Sequence, residues 1–116
     1  MKRQAAEQHG RKGEERAALW LRLRGWTILA RRRRTPLGEI DLVARRGRVV
    51  AFIEVKWRAS AAELDHAIDE RRLARVAAAA EAVAHEYAPA GEDVRIDVLL
   101  LAPGTFPRHI VNAWQP

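Results

Sequence analysis

Apolar and polar residues along this chain change period often enough to lay out most of a fold. The run GEIDLVA alternates. Glu39, Asp41 and Val43 point one way, and Ile40, Leu42 and Ala44 the other, as in a strand with two unlike faces. The next run, Val49 to Trp57, is mostly apolar and β-branched or aromatic, which predicts a buried strand. Arg45, Arg46 and Arg48 surround Gly47 between the two runs, so they form a hairpin with a basic turn. Earlier in the chain, Glu14, Ala17, Ala18 and Leu21 recur at helical spacing. They predict a helix from about Gly13 to Arg24, stopped by Gly25. Trp26 to Arg31 reads as the first strand, with Trp26, Ile28 and Ala30 on one face, before a turn at Thr35-Pro36-Leu37-Gly38. After the hairpin, Ser60-Ala61-Ala62-Glu63 has the form of a capping box that opens one long helix. Leu73, Val76, Ala80, Val83 and Tyr87 mark its core stripe, and Leu64 and Ile68 extend it at the start. Pro89-Ala90-Gly91 ends that helix. Val94 to Leu101 is a strongly apolar strand, and Arg108 to Trp114 a last strand of edge type.

The order α-β-β-β-α-β plus a final edge strand is α/β. The first three strands can form an antiparallel meander, and the fourth can return parallel by a right-handed crossover. A length of 116 residues suits one domain. We expect it over residues 13–116, after a flexible basic arm over residues 1–12. Without cysteine, neither disulfides nor a thiolate zinc site is available. No apolar run approaches the ~18 residues of a membrane span, and the charged N-terminus lacks the apolar centre of a signal peptide. These features fit a cytoplasmic protein with no membrane partner. His9, His66, His85 and His109 show no metal-binding spacing. The chain has no glycine-rich phosphate loop, G-x-S-x-G or CxxC, so nucleotide hydrolysis and serine or cysteine hydrolysis are unsupported.

Charge changes the picture. Residues 1–58 carry a net +10 and residues 59–116 a net −4. Arginine supplies 18 of the 21 basic residues, and its planar fork suits phosphate. A basic half beside an acidic half suggests a face for a polyanion. Arg31, Arg32, Arg33 and Arg34 are four adjacent like charges that need counter-ions, and nucleic-acid phosphates or solvent would serve. With Arg58 and Arg72 they are the candidate nucleic-acid contacts. Arg72 continues the spacing of the long helix's stripe, a place where arginine also simply snorkels.

Glu54 and Lys56 stand two apart in an otherwise apolar strand, so both leave the same face. Charge in such a strand is costly unless paired or bound. Asp41 can join them across the hairpin. Two carboxylates offer hard oxygen ligands to Mg²⁺ or Mn²⁺. A neighbouring ammonium can orient a water or stabilise charge on phosphorus. The plainer reading is a salt bridge at a strand end with Asp41 as cross-strand partner. Arg95 and Asp97 share a face of the fourth strand, where Asp97 is expected to pair with an arginine.

GEIDLVA followed by FIEVKWR resembles the small bacterial YraN family, which reads roughly GEIDLIA and then FVEVKxR. An Asp, a gap and Glu-x-Lys are also the pattern of restriction-endonuclease-like nucleases, related in architecture to Holliday-junction resolvases. The resemblance implies a restriction-endonuclease-like mixed sheet flanked by helices. It implies a Mg²⁺- or Mn²⁺-dependent endonuclease acting on nucleic acid, DNA first and branched DNA among its forms. Asp41 and Glu54 would hold metal, Lys56 would act in the chemical step, and the backbone carbonyl of Val55 would face the metal. GEERAALWLRLRGW resembles the family's first helix, and related nucleases add a first-helix glutamate to the site, here Glu14. Glu14 equally suits a helix N-terminus through the macrodipole. The family usually has Lys where Arg72 stands. Resolvase-like relatives cut two symmetric strands as dimers, which brings in a homodimer by analogy. The rival readings are a non-catalytic nucleic-acid-binding module on a nuclease fold and, third, a protein–protein adaptor.

Overall fold

The computed structural model describes residues 2–115, with side chains from Gly13 onward. Helix α1 (Lys2–Leu23) begins ahead of the expected start near Gly13. The side chains of residues 1–12 lie outside the described part, and with them the basic arm expected there. The helix ends as Gly25 foretold. Gly25 takes φ +90, its N–H donates to Arg22 O, and the Trp26 N–H donates to Leu21 O. This is a Schellman closure, with Trp26 and Leu21 packed together just beyond it.

Strands β1 (Thr27–Thr35), β2 (Gly38–Arg46), β3 (Val49–Trp57), β4 (Asp93–Leu101) and β5 (Arg108–Ile110) form one sheet in chain order. β1, β2 and β3 pair antiparallel, β4 runs parallel to β3, and β5 closes the edge antiparallel to β4. The meander and the parallel return are as expected, and β5 is shorter than the span Arg108 to Trp114. The mixed five-stranded sheet is covered by α1 on one face. Short α2 (Ala61–Leu64) and longer α3 (Glu70–Tyr87) cover the other. Ala17, Leu21, Trp26, Leu42, Ala51, Ile53 and Leu99 fill the α1 side. Val43, Phe52, Leu73, Val76, Val83 and Val98 are among those filling the α3 side. Among the described residues no helix is long and apolar enough to cross a membrane.

Three local expectations need correction. First, the strand expected to stop at Arg31 continues through the arginine run to Thr35. A bulge between Ile28 and Ala30 turns the strand over, so Ile28 packs on the α1 side and Ala30 on the α3 side. Second, the Glu39–Ala44 alternation fails at Asp41: Ile40 joins the α3 side, while Leu42 and Ala44 join the α1 side. Third, the single long helix is two. Glu63 does accept from the Ser60 N–H, but that turn ends at Leu64. A second start follows at Asp69, whose carboxylate caps the Arg71 and Arg72 N–H groups.

Candidate metal centre

The site forms where β2 and β3 part. Their ladder ends at Leu42↔Ile53. Beyond it a side chain takes over from the backbone: Asp41 Oδ2 accepts the Val55 N–H at 2.8 Å. The register of β1 and β2 sets Arg32 opposite Asp41, between the pairs Arg31↔Leu42 and Arg33↔Ile40. Arg32 has φ +48, a left-handed conformation uncommon for a residue with a side chain. Both strands therefore leave regular geometry at the same level, and Asp41 lies at that break.

Helix α1 brings Glu14 to it. Buried Gly13 lies against Trp57, Val55 and Leu101, seating the helix on the end of β3. The next residue, Glu14, stands over β2. Single carboxylate oxygens of Glu14, Glu39 and Asp41 lie within 4.8 Å of one another, close enough to share a cation. Glu39 was missed as a ligand in the sequence, because the break in alternation at Asp41 that brings the two carboxylates together has no local signal. Glu14 also carries an ion pair, accepting from Arg32 Nε at 2.7 Å.

Glu54 and Lys56 do leave the same face, toward α3. Glu54 is buried, and its Oε1 receives Lys56 Nζ at 3.2 Å and Arg72 Nε at 2.7 Å. The N-cap at Asp69 starts the helix that carries Arg72 into this contact. Arg72 therefore does more than snorkel: it is a counter-ion of Glu54. The other oxygen, Oε2, is buried without a hydrogen-bond partner. Glu54 is outside the close Glu14–Glu39–Asp41 group, but its charge acts on Asp41. Burial, and then the charges of Glu54 and Glu14, push the Asp41 carboxyl up to about 7, against the pull of the Val55 N–H and Arg72. Val55 meets Asp41 through its amide N–H.

The arginine run divides. Arg32 is on Glu14, Arg33 makes a forked contact with Glu86 at 2.9 and 3.0 Å, and Arg34 reaches Glu39 at 3.7 Å. The counter-ions expected from phosphate or solvent are, for these three, carboxylates of the chain itself. Arg31 is exposed, and Arg58 donates to the neighbouring Trp57 carbonyl. Arg45, Arg46 and Arg48 lie at the far end of the hairpin from Lys56, because Arg46 pairs with Val49. Asp97 stands apart from the carboxylate group. It is fully buried and saturated by Arg95, His109 Nε2 at 2.7 Å and the Asn112 N–H. Burial opposes its ionisation, but those partners prevail and hold its pKa below the ordinary value. Asp97 is thus the arginine partner expected of it.

A family model described as "Uncharacterised protein family UPF0102" matches residues 13–101. The chain belongs to that family. UPF0102 is the YraN family that the two strand blocks resemble. The matched span runs from α1 at Gly13 to the end of β4, so it includes Glu14, Glu39, Asp41, Glu54, Lys56 and Arg72. A UPF0102 protein of Erythrobacter litoralis is 75% identical over 116 residues and covers both chains fully. One of Sphingopyxis alaskensis is 64% identical over the same length, also covering both fully. One of Rhizorhabdus wittichii is 57% identical over 114 residues, 98% of this chain and 97% of its own.

Proposed function

We propose that this UPF0102 protein is a divalent-cation-dependent endonuclease with a restriction-endonuclease-like site, hydrolysing phosphodiester bonds of nucleic acid, DNA in particular. One observation carries the reading. At the parting of β2 and β3, Asp41 is clamped beside Glu14 and Glu39, while the neighbouring Glu54 keeps a buried oxygen without a partner. Burying and crowding carboxylates in this way is unfavourable without a cation, so the donor set fits Mg²⁺ or Mn²⁺. Asp41 and Glu54 would hold the ion, with Glu14 and Glu39 from the α1 side. When bound, such an ion neutralises charge building on the phosphate and acidifies a coordinated water. Lys56, anchored by Glu54, keeps further N–H donors for a phosphate oxygen or the attacking water. Arg31 and Arg58 supply positive charge for the backbone of the nucleic acid.

A second reading has its own support. Glu54 already has two cationic partners and Glu14 has one, so the chain itself compensates much of the site. That suits a nucleic-acid-binding module that does no chemistry. The test is cleavage and binding of branched and linear DNAs with Mg²⁺ or Mn²⁺ by the native protein, Asp41→Asn and Lys56→Ala. The nuclease reading expects both variants to lose cleavage. Lys56→Ala should keep binding and most of its stability, since Arg72 still pairs with Glu54. Binding without cleavage by the native protein on every substrate would leave the module.

A further inference from the structure

Arg32 differs from its neighbours in the arginine run. Arg33 and Arg34 meet carboxylates near the surface, but Arg32 reaches Glu14, whose side chain is only 13% exposed. Glu14 is also one of the three residues that could share a cation. To make this contact Arg32 holds φ +48 within a strand, where a β-carbon is disfavoured. A guanidinium and a divalent ion are thus offered the same carboxylate.

We propose that Arg32 is a positioning residue and internal counter-ion that competes with the divalent cation for Glu14. Without cation it neutralises Glu14 and holds the middle of α1 against β1. On cation binding it releases the Glu14 carboxylate, and a guanidinium anchored opposite Asp41 is freed at the mouth of the site. The proposal rests on the cation-binding reading given above. It adds that the arginine run is not uniform: one member sets how readily the site loads.

The test is calorimetric titration of Mn²⁺ at constant pH and ionic strength into the full chain, with thermal melting as a check of folding. Arg32→Asn removes the charge, while asparagine tolerates the left-handed backbone. Arg32→Gly does the same with no side chain at all. Either should tighten Mn²⁺ binding by roughly tenfold, the scale of one charge-assisted hydrogen bond no longer displaced. Arg33→Gln, which removes an equal charge nearby whose partner Glu86 lies outside the carboxylate group, should change it by less than about twofold, since that pair is exposed. The gain should vanish when Glu14→Gln is combined with Arg32→Asn, because the competition passes through that carboxylate. A native protein that binds Mn²⁺ with an affinity unchanged or weakened by Arg32→Asn overturns the proposal and leaves the cation site standing. So does a gain that persists beside Glu14→Gln. No Mn²⁺ binding by the native protein or by either Arg32 variant overturns both. Binding that emerges only in the Arg32 variants supports the competition.

Discussion

Asp41 concentrates the tension in the site. Its carboxyl is pushed from an ordinary 3.8 to about 7 by burial and by Glu54, so the folded chain prefers it protonated. The stability this gives is fully present below the unfolded value and is lost as pH rises through about 7. At 1.36 kcal/mol per unit the effect is on the order of 4 kcal/mol at most. In the cation-free protein, Asp41→Asn should therefore raise the melting temperature relative to native at pH 8 and not at pH 4, with the difference growing through the interval. A difference independent of pH would mean that Asp41 titrates normally. Mn²⁺ should tighten its binding over the same interval, because it must displace that proton. At this scale the sequence was informative where one element holds the whole cue. Glu54 and Lys56 share a face because strands have period two, and Glu14 falls on the buried stripe of α1. It was silent on Arg32, whose partner lies 18 residues away and whose backbone leaves the strand conformation to reach it.

Elements were legible where their signals were local. Gly25 stops α1, Gly47 turns the hairpin at φ +61, and the apolar run of β3 is buried. They were misread where a distant partner decided. The first strand was expected to stop at Arg31, yet all four arginines lie in β1, where Glu14, Glu39 and Glu86 neutralise three of them. The capping box at Ser60 was a true cap on a helix of one turn. The second cap matters more to the site. Asp69→Ala removes the acceptor for the first N–H groups of α3 and should cost about 1 kcal/mol in denaturant unfolding. Arg72 sits in that first turn, so the loss should also loosen its hold on Glu54. An Asp69→Ala protein as stable as native would show that packing alone fixes the helix start.

Folding interleaves halves of the chain that looked oppositely charged. Arg33 from the basic half meets Glu86 from the acidic half, and Arg108 meets Asp65 within the latter. The net +6 is unchanged, but the free positive charge is smaller than the run suggests. Arg31 and Arg33 should accordingly separate in experiment. Arg31→Gln should leave the melting temperature unchanged and lower the slope of log affinity for DNA against log salt by about 0.9, one phosphate contact. Arg33→Gln should lower the melting temperature and leave the slope nearly as it was. Equal slopes for Arg31→Gln and native would remove Arg31 from the interface.

The Val55 amide hydrogen-bonds to the side-chain carboxylate of Asp41 on the neighbouring strand β2, which gives the chain a spectroscopic indicator of its own. An amide proton donating to an ionised carboxylate is more deshielded than one donating to the neutral acid. Its ¹H–¹⁵N resonance should therefore move with a midpoint near the pH at which Asp41 ionises, about 7. A saturating divalent cation should shift that midpoint down. Val50, deep in the same strand and paired with Arg45, serves as the internal standard that should stay in place. One resonance would then read the charge on the central carboxylate, with no substrate present.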